Sequence, residues 1–282
     1  MPPRVEPFFL PTADGQRLCV HHAPAGPLRG AVLYVHPWAE EMNKARHMAA
    51  LQSRALAAAG FAVLQIDLHG CGDSSGDFAD ASWNGWLDDV VLGAHWLQQH
   101  HPAPLWLWGL RAGALLATQA APLLAGPCNF LFWQPATQGK QLLQQFLRLK
   151  AAADMQQGDA KATLERARAD LAAGRCVDVA GYSLPSALAQ GLDAATLDLP
   201  AHGPDRTARV VWLETSTREP AALLPVSSSR IEAWRAAGHA VHAQAVTGPA
   251  FWQTQEIEDA PALLQATTAA LLAPATAAPA FA

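Results

Sequence analysis

The chain has 282 residues, of which 51% are apolar and 15% charged, with a formal net charge of −5. This composition excludes a disordered chain and argues against nucleic-acid binding, which needs a basic surface to neutralise phosphates. No apolar run reaches the roughly 20 residues of a spanning helix, and the N-terminal residues lack the apolar core of a signal peptide. We therefore expect a cytoplasmic protein without a membrane span, whose four scattered cysteines are reduced thiols.

The N-terminal half of the sequence alternates strand and helix signals. An Asp-Gly turn joins two strands and predicts a hairpin, and the short apolar runs after it are typical of parallel strands buried on both faces. The predicted elements are strands at 6–10, 16–21, 31–35 and 61–66, a helix from a cap at Asn43 to Gly60, and a helix from a cap near Ser82 to about His100.

The second half continues this alternation after an interruption. Strands are predicted at 104–108, 130–133, 209–213 and 241–246, and helices after Gly113, at 229–237 and at 260–272. Gln, Ala and charged residues dominate the stretch between the second and third of these strands, which predicts a mainly helical cap. The expected division is a core of residues 1–133 and 208–273, a cap of residues 134–207, and a loose tail of residues 274–282.

A strand, the tight turn Gly109-Leu110-Arg111-Ala112-Gly113 and a helix follow one another near the middle of the chain. This order resembles the nucleophile elbow of the α/β hydrolases, which holds its central residue at the top of the sheet. His36-Pro37-Trp38 resembles their oxyanion loop, and Asp67–Ser74 resembles their D-x-R-G-x-G-x-S turn. Together these segments predict an α/β-hydrolase fold: a mostly parallel central sheet with an N-terminal hairpin and a mainly helical cap insertion.

Four segments carry a narrower resemblance: His36-Pro37, Glu40–Lys44, Asp67–Ser74 and Trp108–Leu116. They are similar to the hydrolase 2 proteins associated with the exosortase A system, over about residues 5 to 270. Those proteins belong to the α/β-hydrolase superfamily and are encoded beside exopolysaccharide and PEP-CTERM sorting genes. The resemblance implies a cytoplasmic accessory protein and supplies no substrate.

The motifs depart from a working serine hydrolase at two positions. Arg111 occupies the place of the nucleophilic serine, and a guanidinium stays protonated and cannot attack a carbonyl. The loop after the last strand, Thr247–Trp252, holds no histidine, although the catalytic base belongs there; His242 lies inside the strand, on the wrong side. Glu214 and Glu219 follow the preceding strand, so at most one of the three triad roles remains, and an acid without a base to orient has no catalytic use.

Several residues near the expected pocket are candidates for chemistry or binding. The catalytic candidates are His36, Glu40, Cys71, Glu214 and Glu219, and the ligand-binding candidates are Arg111, His36, Trp38, Ala112 and Asp73. Each also has a structural interpretation: His36 shapes its loop, Glu40 opens a helix, and Cys71 lacks a well-placed base because His69 is only two residues away. Trp38, Trp133 and Trp252 each follow a strand, where they either narrow the pocket or pack in the core.

Arg111 is the most informative of these residues. A guanidinium at a helix N-terminus suits a carboxylate or phosphate, so it either binds an external anion or pairs with Glu40, Glu41, Asp73 or Glu214. We also expect it to face a closed pocket between the His36 loop and the Asp67–Ser74 turn. No H-E-x-x-H spacing and no Gly-rich phosphate loop occurs, so neither a metal nor a cofactor is expected.

Three functions, two of them non-catalytic, fit these observations. The first is a non-catalytic protein that binds a small anionic molecule in the former active site. The alternatives are an active hydrolase of the ester or acyl type that uses non-standard pocket residues, and a non-catalytic subunit of a partner protein, the candidates being proteins of an exosortase or exopolysaccharide locus.

Overall fold

The computed structural model describes residues 4–153, 160–199 and 208–274. Its centre is an eight-stranded sheet in the order β1-β2-β4-β3-β5-β6-β9-β10. The strands are β1 Val5–Thr12, β2 Gly15–His22, β3 Gly30–Val35, β4 Phe61–Ile66, β5 Leu105–Leu110, β6 Cys128–Trp133, β9 Arg209–Ser216 and β10 Ala240–Thr247. The hairpin of β1 and β2 joins the sheet antiparallel to β4, and all other neighbours are parallel.

Helices cover both faces of this sheet. The helices are α1 Glu40–Ala58, α2 Trp83–His100, α3 Ala112–Ala120, α4 Gly139–Ala153, α5 Ala160–Ala172, α6 Ser186–Ala194, α7 Pro225–Ala236 and α8 Pro261–Leu272. Alternate side chains of β3 enter different cores: Leu33 packs with α2 and α3, whereas Val32 and Tyr34 pack with α1 and α8. The apolar runs of the central strands are therefore explained by burial on both faces.

The segment between β6 and β9 is mainly helical, with α4, α5 and α6. It also contains a short antiparallel hairpin, β7 Val177–Val179 and β8 Tyr182–Leu184, which the sequence analysis did not predict because each strand has only three residues. The segment packs onto the sheet domain through α6, where a Cβ on Gly191 would collide with Trp83 of α2. The division of the chain into core and cap stays a prediction.

Most predicted elements occur with shifted ends. The largest correction concerns α1, which begins at Glu40 and not after Asn43, because Ala39 already has the positive φ of 49° that turns the chain into the helix. Helix α7 begins at Pro225, four residues before Ser229, since proline suits the first helical turn. The predicted loose tail lies, beyond residue 274, outside the described residues.

Two further properties bear on earlier expectations. All four cysteines are unpaired, and Cys176 is exposed while the other three are buried. Among the helices of the described residues, none combines the length and apolarity needed to cross a membrane.

Candidate functional site

The turn between β5 and α3 has the geometry of a nucleophile elbow. Arg111 adopts φ 54° and ψ −113°, a left-handed conformation that a residue with a Cβ adopts only under constraint. The constraint comes from the flanking glycines: a Cβ on Gly109 would collide with the Ala114 backbone, and one on Gly113 with the Val35 carbonyl. The sequence therefore holds Arg111 at the carboxyl edge of the sheet, and Ala112 begins the helix behind it.

The Arg111 side chain contacts three elements. Its Nε donates to Glu41 Oε1 of α1 at 3.2 Å, and its Nη2 lies 3.5 Å from Gln145 Oε1 of α4. Its Cζ lies 5.8 Å from the centre of the Trp252 ring, in the loop after β10. With only 13% of the side chain exposed, the guanidinium is enclosed by its own protein.

Glu41 is thus the acidic partner of Arg111 among the four candidates. Burial raises the pKa of Glu41, and the Arg111 guanidinium opposes this by lowering it. The early start of α1 explains the pairing, because it places Glu41 in the first helical turn, next to the elbow. One carboxylate oxygen, Oε2, is buried without a hydrogen-bond partner among the described residues, so the ion pair is only partly satisfied.

The other acidic candidates point elsewhere. Glu40 is half-buried and lies near Tyr182 of β8, whose pKa is raised by burial and by the Glu40 charge. Glu214 is buried under α7, where it accepts hydrogen bonds from Trp212 Nε1 and Leu224 N, both at 2.9 Å, and from the Ser227 hydroxyl. Glu219 is exposed in the loop after β9.

His36 is hydrogen-bonded through both ring nitrogens. Its Nδ1 lies 2.6 Å from the Pro37 carbonyl, and its Nε2 lies 3.2 Å from the Leu68 N–H. A neutral ring that donates from Nδ1 and accepts at Nε2 satisfies both contacts. Burial lowers the pKa of His36, which favours the same neutral form. This bonding favours a structural role in joining the loop after β3 to the loop after β4.

Trp38 continues the same loop and packs against the inserted segment. Its ring lies 4.5 Å from that of Phe146 of α4, and it is almost fully buried. Trp133, in contrast, is a core residue: it lies inside β6, and its Nε1 donates to Thr267 Oγ1 of α8 at 2.8 Å. Of the three tryptophans singled out from the sequence, Trp252 is thus the one whose ring faces the Arg111 guanidinium.

The Asp67–Ser74 turn packs on α1 and the hairpin and makes none of the Arg111 contacts described above. Asp67 Oδ2 accepts from Arg46 at 2.9 Å, and the Ser74 hydroxyl donates to the Asp67 carbonyl at 2.5 Å. Asp73 is exposed, and its N–H donates to Asp67 Oδ2 at 3.3 Å. The polar groups of this turn therefore hold the turn itself, and the expectation that it lines a pocket around Arg111 stays a prediction.

The turn also contains a thiol and an imidazole, Cys71 and His69, which are candidates for a nucleophile and its base. Cys71 is buried, and burial, with added effects of the Asp67 and Asp89 charges, raises the pKa of its thiol. That shift disfavours the thiolate that nucleophilic attack requires. His69 Nδ1 lies 3.2 Å from Asp14 of the hairpin turn, so its ring is directed towards the β1–β2 end of the molecule.

No group of three or more metal-ligating side chains occurs within residues 4–153, 160–199 and 208–274. The described site therefore consists of the Arg111–Glu41 ion pair at the elbow, with the ring of Trp252 and the Gln145 amide of α4 next to Arg111.

Comparison with known proteins supports the fold that this geometry indicates. Residues 26–163 match the family model described as serine aminopeptidase, S33. Est1E from Butyrivibrio proteoclasticus, solved with ferulic acid, is similar with a TM-score of 0.63 at 15% identity, over 94% of this chain and 98% of that one. The chain has the α/β-hydrolase fold. The predicted fold class is confirmed.

Other solved structures with this fold support the same conclusion. An α/β serine hydrolase without a lid from Xanthomonas campestris has a TM-score of 0.57 at 15% identity, covering 95% of this chain and 94% of that one. A carboxyl esterase from Bacillus coagulans has a TM-score of 0.56 at 16% identity, over 86% and 90% of the two chains. No curated protein matches the sequence. The exosortase-associated subfamily therefore stays a prediction.

Gln145 is a site residue that the sequence did not indicate, and its neighbour Phe146 packs on Trp38 of the loop after β3. Both lie on α4, about 34 residues after the elbow in sequence. The amphipathic pattern of α4 predicts that Phe146 is buried, but no local signal indicates which loop of the sheet domain it covers.

Proposed function

We propose that this chain is a non-hydrolytic protein of the α/β-hydrolase fold, which binds a small anion at the elbow and does not cleave esters. One observation carries the proposal: a guanidinium stands at the position of the nucleophile, paired with Glu41 at 3.2 Å. A protonated guanidinium supplies no nucleophile, but it suits carboxylate or phosphate recognition.

The environment of the elbow supports this interpretation over an active hydrolase. Trp252 faces Arg111 from the loop in which the base of a serine hydrolase is expected. The remaining catalytic candidates have other contacts, since both ring nitrogens of His36 are engaged and Glu214 accepts three hydrogen bonds. The chemistry of the enzymes with this fold therefore does not transfer to these residues.

The Glu41 contact determines how an anion would enter. Arg111 presents its Nε to Glu41 and its Nη2 to Gln145 at 3.5 Å, which leaves Nη1, and Nη2 if Gln145 moves away, for an external carboxylate or sulfate. Placing a second negative charge beside Glu41 costs the least free energy when Glu41 is protonated, because burial already raises the pKa of Glu41. Anion binding is thus expected to take up a proton and to strengthen as the pH falls.

The biological setting rests on the sequence resemblance. Motif similarity to the hydrolase 2 proteins of the exosortase A system suggests a cytoplasmic accessory role beside exopolysaccharide or PEP-CTERM sorting. A non-catalytic subunit of a partner enzyme is compatible with the same residues, because the Arg111–Glu41 pair stabilises the fold without supplying a nucleophile.

Titration with sulfate and acetate, followed by tryptophan fluorescence, tests the proposed anion site. We expect affinity to increase between about pH 8 and pH 5, Arg111→Gln to abolish binding, and Glu41→Gln to bind with affinity independent of pH. Arg168→Gln, on α5, is the matched control and is expected to bind like the wild type. Binding that persists unchanged in Arg111→Gln, or no binding of either anion, would overturn the proposal.

A further inference from the structure

A cavity lies between α1 and the strands β2, β3 and β4. Its volume is about 250 Å³, and Arg111 is not among its lining residues. Protein cavities that hold drug-sized ligands are slightly larger, so this one suits a small molecule. It would otherwise hold roughly eight waters at about 30 Å³ each.

The cavity has apolar walls. Val20 of β2 and Ile66 of β4 form one side, and Met42, Ala49 and Ala50 of α1 form the other. The hairpin strands extend the sheet beyond the region that α1 covers, and Val5 at its edge is 42% exposed. A ligand with an apolar body would therefore find its surface buried between helix and strand.

A buried hydroxyl without a partner lines the same cavity. Tyr34 is 4% exposed, and its hydroxyl has no hydrogen-bond partner among the described residues. Burial raises the pKa of Tyr34, and the charges of Arg46, Asp67 and Glu41 also act on it; the hydroxyl therefore stays protonated. A buried hydroxyl left unsatisfied costs about 1 to 3 kcal/mol, so a hydrogen-bonding ligand group is favoured there.

The two arginines of the cavity differ in charge balance. Arg46 pairs with Asp67 at 2.9 Å, so its charge is compensated within the protein. Arg54 lies two helical turns further along α1, about 12 Å away, and has no ion pair among the described residues. Its charge acts on His22, whose pKa is lowered chiefly by burial, so the ring is neutral, and the exposed Arg54 is the cation without a carboxylate partner at that end.

We propose that this cavity binds a small hydroxylated monocarboxylate with an apolar body. The carboxylate pairs with Arg54, the apolar body lies between Val20 and Ala49, and the hydroxyl exchanges a hydrogen bond with Tyr34. The site is separate from the elbow: its polar lining residues lie on α1, β2, β3 and β4 and in the loops after β3 and β4, and neither Arg111 nor Glu41 is among them.

Isothermal titration with para-hydroxyphenylpropionate, and with phenylpropionate as the analogue without the hydroxyl, tests this site. We expect Arg54→Gln to weaken both ligands at least tenfold, because it removes a charge-assisted hydrogen bond. Tyr34→Phe is expected to weaken only the hydroxylated ligand, about fivefold. Neither replaced group has an intramolecular partner of its own, so both variants are expected to fold, which circular dichroism checks.

Two control variants separate this site from others. Arg111→Gln removes the elbow as a second carboxylate site and is expected to keep the Tyr34-dependent difference in affinity between the two ligands, which distinguishes the cavity from the elbow. Arg168→Gln is expected to leave the binding of both ligands unchanged, which excludes the cavity among α4, α5 and α6. Equal weakening of both ligands by Tyr34→Phe would refute the assigned orientation. No heat of binding at millimolar ligand, or wild-type affinity in Arg54→Gln, would refute the site.

Discussion

Arg111 and Arg54 differ in whether a carboxylate of the protein pairs with the guanidinium. Arg111 stands where the fold places its chemistry, but it is paired with Glu41 and covered by Trp252. Arg54 stands on the flank of α1, where no catalytic group is expected, and its charge faces a cavity whose lining carboxylate, Asp67, is paired with Arg46. An anion that binds Arg111 must disturb the Arg111–Glu41 pair, whereas an anion that binds Arg54 disturbs no ion pair of the described residues. The elbow is therefore not the only site at which this protein is expected to bind a ligand.

The sharpest test of the closed elbow is hydrolysis itself. We expect no turnover of para-nitrophenyl acetate and no labelling by a fluorophosphonate probe, in the wild type and equally in Arg111→Ser. Loss of the triad costs on the order of a millionfold in turnover rate, and a serine at position 111 still lacks a base. Stoichiometric labelling of a serine in the wild type would show that the chain has a nucleophile which the geometry does not reveal.

The next largest effect compares the two arginines directly. Arg111→Met is expected to lower the free energy of unfolding by about 3 to 5 kcal/mol, because it leaves the buried Glu41 without its counterion. Arg54→Met removes no ion pair, and we expect a change within about 0.5 kcal/mol. Urea denaturation measures both values, and similar losses in the two variants would contradict the contrast between a paired and an unpaired guanidinium.

The Arg111→Met loss is also expected to depend on pH. Burial raises the pKa of Glu41 above its ordinary value of 4.5, and Arg111 counteracts that rise, so the variant has a higher Glu41 pKa than the wild type. A carboxyl with a raised pKa binds more protons in the folded state, and its contribution to the free energy of unfolding falls as the pH rises through that window. The loss is therefore larger at about pH 8 than at about pH 5. The double variant with Glu41→Gln removes this dependence.

The fold was predictable because its signals are local. Apolar runs such as Ala31–Val35 and the glycine-flanked turn at Arg111 each predict an element from a few adjacent residues. The start of α1 was not predictable in this way: Asn43 is a good capping residue, but the strained backbone at Ala39 overrides that preference. This shift of four residues places Glu41 in the first turn of α1, next to the elbow.

The site was predictable only in part, for a related reason. Arg111 needed an acidic partner, and the sequence supplied four candidates without a means of ranking them. Gln145 reaches the site from α4, and Arg54 and Tyr34 line one cavity although they are 20 residues apart. Such contacts depend on how whole elements pack, and no spacing rule in the sequence encodes them.

The smallest expected effect separates satisfied from unsatisfied buried polar groups. Tyr34→Phe removes a hydroxyl without a partner, so we expect the free energy of unfolding to stay unchanged or to rise by up to about 1 kcal/mol. Thr267→Val is the matched control, because its hydroxyl accepts from Trp133 Nε1 at 2.8 Å and donates to the Leu263 carbonyl at 2.7 Å. Losing it leaves the Trp133 N–H buried and unpaired, at a cost of about 1 to 3 kcal/mol. Urea denaturation of both variants measures the difference. A loss in Tyr34→Phe as large as that in Thr267→Val would mean that the Tyr34 hydroxyl is already satisfied in solution, and the reason for placing a ligand hydroxyl beside it would disappear.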